Sequence, residues 1–279
     1  MGKYNERKYK NNLKLEHSTI DNGKKFGYID FKKVDTETLN IPVGSNSKLG
    51  KNVASISFPI WNTCRHDCEC FREKKCYGCN GCYNFTDNQI RYAENLAYFN
   101  SHDVDTIVNN IKTKLYNKVD TLRFFGIGDF TPKILEVFVE LARTCEWLTV
   151  YCYTKKYDMV NSYVDKMGLD YIPGNATIIF SHWLNSDGTY LEMNNKYSFP
   201  TSEFIPLGKE YLLKSVTYVC ECSNPEYPGK CETCNHSCKN LSFGQSMALI
   251  EHSTKETKER DKALKISRGK VTLNEFYNI

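Results

Sequence analysis

Apolar residues follow two alternating rhythms between residues 53 and 183. "VASISFPI" (53–60) is a short β-branched apolar run, as a buried strand requires. Two helical patterns come next, around 87–99 and 103–117. In the second, Val104, Ile107, Val108, Ile111 and Leu115 recur at helical spacing. "TLRFFGIGDF" (121–130) reads as a strand breaking into a glycine-rich turn. Thr131 then stands as an N-cap with Pro132 at the first helical position, and Ile134, Leu135, Phe138, Leu141 and Ala142 form one apolar face. "LTVYCYTKK" (148–156) predicts a third strand ending in a polar turn. A helix over about 157–167 and a fourth strand, "ATIIFSHW" (176–183), complete the series.

Strands separated by helices pair in parallel, because a parallel connection needs a crossover. The expected fold class is therefore α/β, a partial or complete parallel β/α barrel with a Cys-rich C-terminal extension. An open doubly wound sheet is the alternative. Residues 1–50 are polar and rich in Asn and Lys, and predict an N-terminal extension packed on the core. Residues 51–185 form that core. Residues 186–279 dissolve into loops and short strands, ending in a charged tail, 254–268, that is helical by composition.

Composition narrows the class only slightly. The chain of 279 residues is 41% hydrophobic and 25% charged with a net charge of +4, ordinary for a globular protein. Lys3, Arg7, Lys8, Lys10 and Lys14 outweigh Glu6 near the start; a solvated end and a nucleic-acid arm both fit. No apolar run reaches the roughly 18 residues of a membrane-spanning helix, and residues 1–14 lack the apolar stretch of an export signal. The expectation is a cytoplasmic protein with no membrane partner.

A reducing compartment changes the meaning of the 13 cysteines, because it disfavours disulfides. Six fall between residues 64 and 82: Cys64, Cys68, Cys70, Cys76, Cys79 and Cys82. Five fall between 220 and 238: Cys220, Cys222, Cys231, Cys234 and Cys238. Cys-x2-Cys steps let two thiolates converge on one ion, so both groups are candidate metal ligands. His236 could replace a thiolate in the second. Cys145 and Cys152 sit in apolar patterns and read as core residues.

In parallel α/β folds, chemistry gathers at the carboxyl ends of the strands. The first cysteine group, "GIGDF" (126–130), "YTKK" (153–156) and "SHW" (181–183) all fall there. Asp129, Lys155 and His182 are the candidate catalytic side chains. Each also has a plain reading: a turn residue, a solvated helix start and a rim histidine. Arg123 lies inside a strand pattern, where a guanidinium needs an anionic partner, and Asp129 is one candidate.

"GCYN" (81–84), "RFFGIGDF" (123–130), "YCYTKK" (151–156) and "VCECSNPEYPGKCETCNHSC" followed by "ALIEH" resemble the radical S-adenosylmethionine (SAM) superfamily, more narrowly a phage-associated branch of it. The likeness spans roughly residues 53–252. It implies a [4Fe–4S] cluster on three thiolates of the first loop, with an open iron that takes the amino and carboxylate groups of SAM. Reduction would cleave SAM to a 5′-deoxyadenosyl radical, with electrons from a separate donor. Cys79 and Cys82 match the last two ligands of the pattern, and Tyr83 matches the aromatic residue beside the adenine. Gly126, Gly128 and Asp129 match the turn that receives the methionine amino group. Arg123, Tyr153 and Thr154 are further cofactor-binding candidates, Arg123 toward the carboxylate of SAM.

The superfamily spacing is Cys-x3-Cys-x2-Cys. Here the loop runs Cys64-x3-Cys68-x-Cys70 and Cys76-x2-Cys79-x2-Cys82, so either Cys64 or Cys76 could be the first ligand. Removing three ligands from six and five cysteines leaves eight, enough for two more four-thiolate sites. An auxiliary Fe–S cluster and a zinc ion both suit the C-terminal group. The substrate class is open, with a nucleic acid or nucleotide as the candidate. The competing reading is a zinc-stapled nucleic-acid-binding protein without redox chemistry.

Overall fold

The structure, a computed structural model, describes residues 16–19, 25–44, 49–65, 68, 70, 76, 78, 83, 85–183, 192–205, 216–220, 231, 234 and 237–250. An antiparallel pair, β1 (Glu16–Thr19) and β2 (Lys25–Tyr28), precedes the main sheet. The four strands expected from the sequence follow as β3 (Val53–Ile56), β4 (Thr121–Phe124), β5 (Thr149–Thr154) and β6 (Ala176–Trp183), each parallel to the next. The α-helices among the described residues are α1 (Ile60–Thr63), α2 (Thr86–Ser101), α3 (Val104–Leu115), α4 (Pro132–Thr144) and α5 (Tyr157–Met167).

Three more strands extend the sheet: β7 (Thr201–Ile205), β8 (Tyr218–Val219) and β9 (Ser246–Ile250). The order is β3-β4-β5-β6-β7-β9-β8, and every pairing in it is parallel. The sheet thus runs past residue 185, where the sequence pattern dissolves. β8 has only two residues, and β7 mixes polar and apolar positions, so neither carries a strong period.

Sequential order from β3 to β7 means each crossover steps the same way across the sheet. Right-handed crossovers then put the intervening helices on one face. That is the winding of a barrel and not of a doubly wound sheet, yet β3 and β8 are both edges, so the barrel is not closed. The helix-side core unites Ile56, Phe124, Val150, Cys152, Ile178 and Phe180 from the strands with residues of α2 to α5. Cys145 and Cys152 are fully buried there.

The opposite face carries Tyr151, Tyr153 and Ile179, which pack against Cys220, Cys238, Leu241 and Met247. The C-terminal region therefore lies across the face that a closed barrel would enclose.

The described part of the N-terminal extension packs on α2. Ile29 and Val34 meet Ile90, Ala93 and Ala97. Asn95 holds the segment in place: its Oδ1 accepts from Asn40 N (2.7 Å), and its Nδ2 donates to the carbonyls of Asn40 (3.0 Å) and Ser57 (3.0 Å). Among the described residues no helix is long and apolar enough to cross a membrane. The tail 254–268 lies outside the described residues.

α4 starts as its sequence predicts, with Pro132 in the first turn and Thr131 Oγ1 accepting from Ile134 N at 3.3 Å. Thr131→Ala removes that acceptor and is expected to destabilise the protein by about 1 kcal/mol. A thermal melt should show a midpoint lowered by about 2–4 °C. An unchanged midpoint would mean that water replaces the cap without loss.

Candidate functional site

The glycine-rich turn after β4 is stitched to the segment that leaves β3. Phe125 N donates to Ile56 O (2.9 Å), Phe58 N to Ile127 O (3.1 Å) and Ile127 N to Ser57 Oγ (3.3 Å). Asp129 N donates to Thr63 Oγ1 at 3.1 Å, and that hydroxyl donates to Pro59 O at 2.9 Å. A Cβ on Gly126 would lie 2.6 Å from Ser57 Oγ, and one on Gly128 would lie 2.8 Å from Phe58 O. Gly128 also has φ +96°, and Phe125, at +65°, shares the left-handed region. Close approach within the chain thus accounts for both glycines.

Asp129 is only 5% exposed. One carboxylate oxygen accepts from Thr154 Oγ1 (2.5 Å) and Phe130 N (2.8 Å), and the other accepts from Lys155 N (2.9 Å). Burial raises its pKa above the usual carboxylate range, against the lowering effect of these three bonds. The side chain ties the end of β4 to the end of β5. Its bonds come from Thr154, Phe130 and Lys155, not from the Arg123 guanidinium expected as a partner. Arg123 instead lies over the Tyr153 ring, 5.3 Å from the centroid.

The first cysteine group comes together beside this turn. Cys64 caps α1, with its N–H on Ile60 O at 2.9 Å. Cys64, Cys70, Cys76 and Tyr83 pack around Ile60, Cys68 and Ile127. Cys68 Sγ and Cys70 Sγ are 2.9 Å apart, one thiol donating to the other. Cys76 N also donates to Cys70 O at 2.9 Å. Burial, then the Asp129 carboxylate and the neighbouring thiols, push the Cys64 thiol well above its ordinary value. The bond to Cys70 and burial raise Cys68 as well. Cys70 is lowered by its bond to Cys68, but its contact with Cys76 and burial win, and it is pushed up to about 12. Cys79 and Cys82 lie outside the described residues.

Among the described residues, no set of three or more Cys, His, Asp or Glu side chains is arranged to hold a metal ion. Two thiolates on one tetrahedral zinc stand roughly 3.8 Å apart, given Zn–S of about 2.3 Å. The Cys68–Cys70 pair is closer than that. The donor chemistry of four gathered thiols fits a thiolate-held centre; the spacing is that of thiols bonded to each other, which a metal would draw apart.

Lys155 reaches the same mouth. Its Nζ donates to Ser181 Oγ at 3.2 Å and sits 5.4 Å from the Trp183 ring centroid. Burial lowers its pKa, but the thiols of Cys68 and Cys70 lead a set of neighbours that raise it on balance.

His182 does not join this group. Side chains alternate along a strand, so it shares the helix side with Ile178 and Phe180, while Ser181 and Trp183 face the other way. His182 Nδ1 lies 2.8 Å from Glu203 Oε2, its register partner on β7, and both side chains are largely buried, 16% and 12% exposed. Glu203 went unnoticed in the sequence because β7 itself is only weakly patterned. The convergence expected at one mouth therefore holds for Cys64, Cys68, Cys70, Cys76 and Lys155, whereas Asp129 points inward as a brace and His182 pairs on the helix side.

Of the second cysteine group, Cys220 and Cys238 lie on the face opposite the helices. Cys220 N donates to Ala248 O at 2.8 Å, and Cys238 Sγ donates to Met247 Sδ at 3.3 Å. A hydrogen bond with Cys220, then burial, raises the Cys238 thiol well above its usual value, with Cys231 and Tyr153 also close. Burial, then the charge of Cys238, raises Tyr153 in turn. Cys234 is part-buried, and Cys222 and His236 lie outside the described residues.

The family model described as Gene product 88 matches residues 31–203, more than half of the chain. No curated protein matches the chain. No solved structure matches it either.

Proposed function

We propose, for a chain that belongs to the Gene product 88 family, an iron–sulfur enzyme of the radical SAM kind. The observation that supports this reading is the gathering of Cys64, Cys68, Cys70 and Cys76, with Tyr83 against them, at the carboxyl edge of a singly wound parallel sheet. Thiols crowded in that position are suited to a soft metal centre. A [4Fe–4S] cluster, when bound, would supply the one electron that breaks a C–S bond of SAM, releasing methionine and leaving a carbon-centred radical. The residues of the chain provide the rest: thiolates from the first loop, an aromatic wall from Tyr83, a cation from Lys155 and a turn held by Asp129. Cys220, Cys231 and Cys238 would supply thiolates to an auxiliary Fe–S cluster or zinc. An electron donor is an implied partner.

The test is metal and sulfide analysis of anaerobically purified protein. A brown protein with iron and sulfide in equal amounts, about four or more of each per chain, is expected. Reduced protein should then change its electron paramagnetic resonance spectrum when SAM is added. The pair Cys64→Ala and Cys82→Ala should each lose most of the iron of the first loop while keeping the far-UV spectrum of the fold. A colourless protein with one or two zinc ions per chain would sink the proposal in favour of a zinc-stapled nucleic-acid-binding protein.

A further inference from the structure

Little regular structure covers the inner face of the sheet. Over Tyr151, Tyr153 and Ile179 lie Cys220, Cys238, Leu241 and Met247. Among the described residues the cover consists of β8, which has two residues, and a single 3₁₀ turn, Cys238–Asn240, beside β9. That turn is tethered to the strands at two points. Thr177 Oγ1 donates to Lys239 O at 2.7 Å, and Lys239 Nζ donates to Thr121 Oγ1 at 2.9 Å. Ordering such a segment costs conformational entropy at every residue, and two hydrogen bonds with one buried leucine offset little of it.

The cysteines stand where a stronger clip would act. Cys220 follows β8, with its N–H on Ala248 O at 2.8 Å, and Cys238 opens the turn. Their thiols are hydrogen-bonded to each other, and Cys231 is a close neighbour of Cys238. Cys234 follows Cys231 at Cys-x2-Cys spacing. The Cys238 thiol also meets the Tyr153 hydroxyl, and it lies 3.3 Å from Met247 Sδ. Sulfur ligands drawn from separate segments, with a two-residue spacer between two of them, are the mark of structural zinc. A hydroxyl bonded to a ligand sulfur is the outer-shell support that such sites use. Arg123, 5.3 Å from the Tyr153 ring centroid, and Lys239, next to Cys238 in the chain, bring positive charge to the same face. Zinc takes cysteine as thiolate, so it would replace the proton that Cys220 and Cys238 share.

We infer that Cys220, Cys231, Cys234 and Cys238 hold one zinc ion, and that this ion latches β8 and the Cys238–Asn240 turn across the inner face of the open sheet. This rests on the reading of the C-terminal thiols as an auxiliary metal site. It chooses zinc over a second Fe–S cluster and gives the metal a closing role in place of a redox one. Closure asks for no electron transfer, and zinc has no redox chemistry.

The experiment is metal analysis with limited proteolysis of the full chain, purified anaerobically. Trypsin cleavage after Lys239, read by mass spectrometry, reports the latch, because the Lys239 side chain is held at Thr121 until the turn lifts. Wild-type protein should carry about one zinc ion per chain apart from the metal of the first loop. Cys231→Ser and Cys238→Ser should each lose that ion and be cut after Lys239 ten-fold or more faster, with cleavage in α2 to α5 unchanged. Cys64→Ala should keep both the zinc and the protection. Where the serine variants fold poorly, the wild-type protein decides. A chelator should then release zinc and speed the cut, and zinc added back should restore protection.

Iron and sulfide lost with Cys238→Ser in place of zinc would overturn the inference and make the site a second cluster. So would a chain with no metal at these cysteines, zinc that Cys64→Ala also removes, or zinc that leaves with no change in cleavage after Lys239. The first loop separates the two readings. Iron there with no second metal sinks only the latch, whereas zinc at the C-terminal cysteines of a chain without iron sinks the radical SAM reading and leaves the latch standing.

Discussion

Gly128→Ala is expected to destabilise the protein by about 3 kcal/mol or more. Two effects add at this position. The backbone sits at φ +96°, where a Cβ is strained by about 1–2 kcal/mol. The new methyl group would also stand 2.8 Å from Phe58 O, 3.0 Å from Phe58 Cβ and 3.1 Å from Thr63 Oγ1. Those atoms belong to the segment that carries the first cysteine loop, and moving them in a packed region costs about 1–3 kcal/mol. Gly168→Ala is the control, with φ +91° and nothing within 4 Å of the added Cβ. It should show the backbone cost alone. Urea unfolding of both variants measures the difference, and equal losses would mean that the close approach at Gly128 carries no weight.

Asp129→Ala is the second large effect, also about 3 kcal/mol. It strips the acceptor from the Thr154 hydroxyl and from the backbone N–H groups of Phe130 and Lys155. Each buried donor left without an acceptor costs about 1–3 kcal/mol, offset where water enters the space left by the side chain. Asp129→Asn keeps one oxygen and should lose about half as much. Its penalty should also depend on pH. The folded protein raises the pKa of Asp129 above its unfolded value, through burial first. Folded chains therefore hold that proton more tightly, and wild-type stability from this group declines as pH rises from the unfolded value, near 4, through the raised folded value. The asparagine variant has no such decline, so its deficit should be larger at about pH 4 than at about pH 7. A deficit that grows toward neutral pH would mean that the folded carboxyl titrates below its unfolded value. The two substitutions share one turn, so their effects should not add.

Both predictions give the glycine-rich turn a scaffolding role. Gly126 and Gly128 admit the chain after β3, and Asp129 fastens β5 to the same corner. The cysteine loop and Lys155 then emerge side by side at one edge. The resemblance to a SAM-binding turn points to the same residues, but their contacts here are within the chain, and the chemistry at the edge belongs to Cys64, Cys68, Cys70, Cys76 and Lys155.

Periodicity located most of the core. The pattern over 157–167 becomes α5 and the run 176–183 becomes β6 with the same bounds. Thr131 and Pro132 start α4 as expected. These features were legible because burial on one face of a helix, or on a strand covered on both sides, leaves its imprint on adjacent residues. β7 to β9 left a fainter imprint. Glu203 stands in the middle of β7, and its partner, His182, lies 21 residues earlier in the chain. No local rule links the two.

The sequence by itself determined the alternation of strand and helix, the parallel pairing that follows from it, and the placing of thiols after the first strand. Only the tertiary structure decided which of the expected residues share a face. Along a strand the side-chain period is two, so register between neighbours sorts Ser181 and Lys155 to one side and His182 with Glu203 to the other. It also decided that Cys220 and Cys238 cover the inner face of an open sheet, because that choice depends on contacts between Tyr153 and Cys238, which are distant in sequence and adjacent only once the sheet has formed.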